Sequence, residues 1–291
     1  MTHVLFIINK KSGAKHVPLE KAIADWGRAN SAKYELEFTQ YPKHATEIAR
    51  RQASQFDVIV AAGGDGTINE TAQGLVHTSS ALGIIPCGSG NGLARHLGIS
   101  LQPEKALKQL SSGIQLVDTF LVNEHFSVNV AGIGFDGHIA HLFGKSGKRG
   151  FSGYAKIAFR EFFNYRENEY QLEMEGEKSS HKLLMLPIAN ARQFGNNAVI
   201  APQASMRDSW LDVCLIKKIP IWQTPVFAYR LFSGGAHRSP FVDIKKTKVI
   251  KITSSSPAPL HTDGEPREIN TVFEARIMPQ SLRVISPLEN I

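Results

Sequence analysis

The chain has 291 residues, 42% of them hydrophobic, with a formal net charge of +7 and two cysteines. That length and apolar content support a substantial core in one large or two ordinary domains, and Cys87 and Cys214, far apart in apolar runs, exclude a zinc module and read as reduced core thiols. The positive charge permits attraction to nucleic acid, anionic lipid or phosphorylated molecules, but no aromatic-interleaved basic run accompanies it, so nucleic acid is not expected as a partner.

The N-terminal MTHVLFIINKKSG has too short an apolar stretch and no small-residue cleavage site, so it reads as a first strand rather than a signal peptide. No window approaches the roughly 20 apolar residues that span a bilayer, and a cytoplasmic protein, soluble or peripheral at a membrane, is expected. Strand and helix signals then alternate: VLFIIN, PLEKAIADWGRA, YELEFTQ, ATEIARRQAS, DVIVAAGG, INETAQGLV and ALGIIPC. Such alternation predicts a parallel sheet covered by helices. Ligands of these sheets bind beyond the carboxyl ends of the strands, where GGDGT (63–67) and GSGNG (88–92) fall. A strand that runs through glycines into a helix lets backbone N–H groups face an anion, and phosphate is the natural candidate.

After about Asn123 the rhythm changes. FSVNVAG, YQLEMEGE, KLLMLPIANA, LDVCLIKK, KKTKVIKIT, TVFEARI and LRVIS are strand-like and predict a mainly antiparallel second domain. Helices are expected at Tyr154 to Phe163 and Gln223 to Phe232, where apolar residues recur at helical spacing. The domains are placed at 1–123 and 124–291.

GIGFDG (132–137) fits the G-x-G-x-x-G pattern, but its surroundings are strand-rich rather than βαβ, so it is read as a tight turn presenting Asp136 to a cleft. GKS (144–146) lacks the first glycine of a phosphate-binding P-loop, because position 139 is isoleucine. His138 and His141 lack a third ligand at suitable spacing and read as surface or packing histidines. Basic clusters lie at Lys145, Lys148 and Arg149 and at Lys245, Lys246, Lys248 and Lys251.

INKKSG, GGDGTINE, GSGNGLA, GIGFDG and HTDGEP, in this order along essentially the whole chain, resemble the soluble lipid kinases of the diacylglycerol kinase catalytic-domain type, which include diacylglycerol, sphingosine and ceramide kinases. The resemblance implies an α/β N-terminal domain with a parallel sheet, like those of NAD kinase and phosphofructokinase, and a mainly antiparallel β-rich C-terminal domain, with ATP in the cleft between them. It implies that nucleotide phosphates meet Gly63, Gly64, Asp65, Gly66 and Thr67, with Ile68, Asn69 and Glu70 completing the matched run. Gly88, Ser89 and Thr39 match further nucleotide contacts. The usual Asn-Pro-x-Ser-Gly appears as Asn9, Lys10, Lys11, Ser12 and Gly13, with lysine in place of proline; Asn9 and Ser12 keep their polar groups.

The resemblance also implies a structural Mg²⁺ held by the Asp208 carboxylate and the backbone oxygens of Ser205 and Trp210, in QASMRDSWLDV. Asp208 reads equally well as a turn residue, since Ser209 stands where glycine is commoner. By the same resemblance Glu265 is the catalytic base, Asp263 shares its acidic turn, and Asp65 and Asp136 organise the catalytic Mg²⁺ through water. A lipid is the expected acceptor, delivered at an anionic membrane surface, and GKSGKRGFSGYAKIAFREFF offers both basic and apolar residues for that contact, or a solvated loop before a core-packed helix. Diacylglycerol, sphingoid base, ceramide, monoacylglycerol and phosphatidylglycerol all remain open as acceptors, as does oligomeric state, a homodimer included. The alternatives are an NAD kinase-like enzyme, which also uses GGDGT but carries a STPTGSTAY-like segment absent here, and a silent nucleotide-binding regulator, which retained acidic motif residues argue against.

Overall fold

In the first part of the chain, short β-forming runs separated by glycine and polar punctuation become parallel strands. The computed structural model describes residues 3–12, 19–146 and 150–288. The chain divides into two units, Met1–Asp118 with Pro279–Ile291, and Thr119–Met278. Gly13, Lys148 and Arg149 of the expected motifs lie outside the described residues.

The first unit runs β1 (His3–Ile8), α1 (Leu19–Asn30), β2 (Lys33–Phe38), α2 (His44–Gln52), β3 (Val58–Gly63), α3 (Asp65–Leu75), β4 (Ala81–Pro86), α4 (Gly92–His96), α5 (Pro103–Gln109) and the start of β5 (Ile114–Val122). Its strands stand in the order β2-β1-β3-β4, all parallel. Every residue of β3 and β4 is buried, as expected of strands covered on both faces, whereas β2 at the edge alternates exposed and half-buried residues. Helices α2 and α3 approach closely at Gly74, where an added Cβ would lie 2.7 Å from the Thr46 carbonyl oxygen and 2.6 Å from the Ala49 Cβ.

The second unit continues with β6 (His125–Ser127), β7 (Val130–Gly134), α6 (Phe135–Lys145), α7 (Phe151–Phe162), β8 (Asn168–Met174), β9 (Glu177–Leu183), β10 (Met185–Ala189), β11 (Leu211–Ile216), a 3-10 turn (Ile221–Gln223), α8 (Thr224–Phe232), β12 (Val242–Thr247), β13 (Val249–Ala258), β14 (Leu260–Thr262), β15 (Glu265–Pro266) and β16 (Asn270–Ile285). One antiparallel sheet orders β16-β13-β8-β9, the other β12-β11-β10-β7-β14-β15. Their inner faces share one core that includes Tyr170, Leu172, Ile250 and Phe273 from the first sheet and Ile133, Leu186, Val213 and Leu260 from the second. Alternate residues of the second sheet, Ala189, Cys214 and Ile216, face a separate cluster that Phe162, Phe227 and Leu231 join. Both faces of that sheet are therefore covered.

Two expectations change. KKTKVIKIT is two strands, β12 and β13, that part at Lys248, while TVFEARI and LRVIS belong to one long strand, β16. The two compact units part at Asp118/Thr119, within β5. Residues 279–291 rejoin the first unit because Val284 pairs with Leu82 on β4, the Ser281 carbonyl accepts the His77 N–H (2.7 Å), and the Ser286 hydroxyl donates to the Leu97 carbonyl (3.0 Å).

Alanine is a better helix former than glycine by about 1 kcal/mol, yet at position 74 its methyl group meets α2 backbone. Gly74→Ala is expected to lower stability by about 1–3 kcal/mol, the range for overpacking, read as a lower urea midpoint with an unchanged slope.

Candidate functional site

Because β2, β1, β3 and β4 are parallel neighbours, the residues at their carboxyl ends form one row: Thr39, Asn9, Gly64 and Gly88. The sheet ladder continues into these residues, with Thr39 N–H donating to Ile8, Asn9 N–H to Ala62 and Cys87 N–H to Gly63. Asn9 Nδ2 donates to Thr67 Oγ1 (3.0 Å), tying the first loop to α3, and the Ser12 hydroxyl donates to the Asn9 carbonyl (2.6 Å). Gly64, extended, precedes α3; the first-turn amides of an α-helix have no intrahelical acceptor and carry its positive end. Thr39, Asn9 and Ser12 are half-buried and Ser89 is exposed, so the row keeps polar groups within reach of solvent.

The two glycine loops touch backbone to backbone. A Cβ on Gly88 would come within 2.8 Å of Gly64 Cα, whereas one on Gly64 would sit 3.4 Å from Gly88 Cα. Asp65 fixes this contact by accepting the Asn91 N–H at Oδ2 (2.9 Å) and the Gly92 N–H at Oδ1 (2.8 Å). Asn91, in the left-handed region at φ 51°, closes its own loop, with Oδ1 accepting the Gly88 N–H and Nδ2 donating to the Gly88 carbonyl. Its importance was not read from the sequence, although an asparagine among glycines is the residue type that tolerates this conformation.

Part of the matched run has other work. Ile68 and Asn69 are buried in α3, and Glu70 accepts the Lys43 and Ala45 N–H groups (2.8 and 3.2 Å), capping α2. The Glu70 carboxylate therefore ties the start of α2 to α3.

In the second unit, Asp263 and Gly264 both have positive φ (50° and 86°), the two-residue hairpin turn expected of Asp-Gly, joining β14 to β15. The Asp263 carboxylate folds back on the segment linking β6 to β7. Oδ1 accepts the Ser127 hydroxyl (2.6 Å) and the Asn129 and Val130 N–H groups (3.0 Å each), and Oδ2 accepts the Val128 N–H (2.9 Å). The Asp263 carboxylate thus anchors the hairpin to the segment 127–130. Glu265, two residues on, is exposed.

Asp136, read from the sequence as presented to a cleft by a tight turn, is 5% exposed at the start of α6. Its Oδ1 accepts the Gly137 N–H, its Oδ2 has no hydrogen-bond partner among the described residues, and His261 Nε2 lies 3.6 Å from that oxygen. Gly132 makes room for the carboxylate, since a Cβ there would lie 1.8 Å from Oδ2. His138 pairs with Glu161 on α7 (3.1 Å), which holds the Glu161 carboxyl below its usual range. Burial pushes the Cys87 thiol up to about 11 and raises that of Cys214, consistent with two inert free thiols.

In the loop that the resemblance assigns to a structural metal, Asp208 Oδ2 accepts Lys246 Nζ (2.5 Å), Asp208 Oδ1 accepts the Trp210 N–H (3.1 Å), and Ser205 Oγ accepts the Arg207 N–H (3.3 Å). One oxygen of the carboxylate thus faces a lysine ammonium. No group of three or more His, Cys, Asp or Glu placed to hold a metal occurs among the described residues. Lys248 stands over the Trp210 ring, 5.1 Å from its centroid, so two members of the expected basic cluster serve this loop.

Two protein-family models match: the diacylglycerol kinase catalytic domain over residues 3–122, and the YegS C-terminal NAD kinase beta sandwich-like domain over residues 129–286. A Pseudomonas putida protein named "Probable lipid kinase YegS-like" is 31% identical over 239 residues, 79% of this chain and 77% of its own. The Bacillus subtilis "Diacylglycerol kinase" is 28% identical over 228 residues, 76% and 75% of the two chains. A crystal structure of a diacylglycerol kinase from Bacillus anthracis aligns with a TM-score of 0.74 at 19% identity, covering 98% of this chain and 97% of that one, a likeness of fold. No described helix is long and apolar enough to cross a membrane.

Two outcomes are expected from this geometry. Gly88→Ala should lose about 1–3 kcal/mol by forcing the loops apart while Gly64→Ala stays near the parent in thermal unfolding, since its methyl group fits. Asp212, buried beside Lys246 with Oδ2 unbonded, has its carboxyl pushed by burial from 3.8 up to about 6. A raised carboxyl disfavours the folded state above pH 6 and ceases to do so as pH falls toward 4. Asp212→Asn should therefore melt higher than the parent at pH 8, with the gain shrinking by pH 5.

Proposed function

The chain belongs to the lipid kinase family of the diacylglycerol kinase catalytic-domain type, and from that membership we propose that it transfers the γ-phosphoryl group of ATP to the hydroxyl of a lipid. The observation that carries the nucleotide half is the row of loops on β2-β1-β3-β4, where Gly64 and Gly88 meet without side chains beside the start of α3. A phosphate chain is the ligand such a row accepts, because it needs close backbone approach and N–H donors. On this reading the amides of 64–67 receive the phosphates, and Asn9, Ser12, Thr39 and Ser89 supply polar contacts around them.

Transfer forms a bond from the acceptor oxygen to the γ-phosphorus and breaks the bond from that phosphorus to the β–γ bridging oxygen, whose electrons leave with ADP. A Mg²⁺ ion accompanying the nucleotide would neutralise phosphate charge. The acceptor proton goes to Glu265, the turn carboxylate that remains exposed while Asp263 is committed to four donors. Asp263 then positions Glu265 by fixing the hairpin. Diacylglycerol leads the candidate acceptors through the B. subtilis relative's name.

Glu265→Gln is expected to lower single-turnover transfer from radiolabelled ATP to diacylglycerol about a hundredfold or more, the range for losing a general base, with ATP affinity and melting temperature unchanged. Asp263→Asn should instead lose about 2–4 kcal/mol of stability by presenting an amide to backbone donors. Near-normal chemistry in Glu265→Gln would move the proton to another acceptor, Asp136 beside His261 being next. Absence of label in any lipid of a mixed extract would sink the lipid-kinase reading itself.

A further inference from the structure

Helix α8, TPVFAYRLF, is apolar on two opposite faces. Phe227 and Leu231 point inward and join the cluster that contains Ile200, Ala201 and Ala236. On the other side Trp222 is 75% exposed and Tyr229 74%, with Val226 and Phe232 also exposed. Positions 222, 226 and 229 follow helical spacing, so these side chains form one stripe. A surface helix ordinarily turns polar residues to water; this one carries a single charge, Arg230. Lys217 and Arg238 are exposed and Arg230 half-buried in the segment 217–242, with Asp243 following it; Lys218 Nζ is turned inward, donating to the Phe162 and Tyr165 carbonyls.

Resting on the lipid-kinase reading for its biological sense, we propose that the stripe from Ile221 to Phe232 is the face by which the protein seats itself on an anionic bilayer. Tryptophan and tyrosine favour the bilayer interface, where one end of the ring is apolar and the other wet. Lys217, Arg230 and Arg238, flanking an apolar stripe that itself carries no acid, complement anionic headgroups. A second copy of the chain fits less well, because a two-fold contact would bring Arg230 against its own counterpart in a stripe without an acid.

The test is co-sedimentation of the full chain, without nucleotide, with vesicles of phosphatidylcholine alone and of phosphatidylcholine containing phosphatidylglycerol. The parent is expected to bind the anionic vesicles, more weakly as salt rises. Trp222→Ala with Tyr229→Ala should reduce that binding about tenfold or more at an unchanged melting temperature, since both side chains are exposed. Ile269→Ala, an exposed apolar residue outside the stripe, should bind as the parent does. Equal binding by the parent and the double variant would overturn the proposal, as would equal binding to both vesicle types. Conversion of a dimer to a monomer by the double variant, with vesicle binding intact, would assign the stripe to a second copy and overturn it too. The readout needs no phosphoryl transfer, so a protein inactive on every lipid yet bound through α8 would refute the catalytic reading and keep this one.

Discussion

Asp65 holds the candidate nucleotide site together. Its two carboxylate oxygens each accept one N–H of the loop after β4, and they do so from the first turn of α3, so one side chain sets the distance between two glycine loops on neighbouring strands. The close approach of Gly64 and Gly88 has meaning only while that distance is kept. Charge-assisted hydrogen bonds of this kind are about twice as strong as neutral ones. A carboxylate at the start of α3 also shares the helix's positive end with any anion that binds there, so the residue that builds the site also tempers its affinity for anions.

The acidic side chains of the motifs divide by this criterion. Asp65, Glu70 and Asp263 give their oxygens to backbone N–H groups of distant segments and act as internal braces. Glu265 faces solvent, and Asp136 keeps one buried oxygen unbonded beside His261. His261 Nε2 lies 3.6 Å from that oxygen. Asp208 departs from both groups, since Lys246 supplies its counter-charge from within the chain.

Much of this was legible in the sequence. Strands β3 and β4 announce themselves as continuous apolar runs because both faces are covered, and the glycines after them mark where two loops meet backbone to backbone. The period of Tyr170 and Leu172 placed β8, and helical spacing placed α7 and α8. Strand β9, EKSSHKL, escaped because it is mostly polar; its identity comes from a seven-residue register with β8, which composition does not encode. The bracing roles of Asp65, Glu70 and Asp263 escaped for a related reason: their partners are backbone amides, which every residue but proline carries. Lys246, 38 positions from Asp208, is one more surface lysine until the fold brings the two together.

The return of residues 279–286 to the first unit sets an order of events during synthesis. Residues 1–118 leave the ribosome first, yet β4 gains Val284 as its outer neighbour only after the whole second unit has emerged. Until then β4, buried along its length in the finished protein, ends the nascent sheet as an apolar edge, the kind of surface on which other chains can pair. A chain interrupted within the second unit would therefore leave residues 81–86 as an unpaired edge of the first sheet.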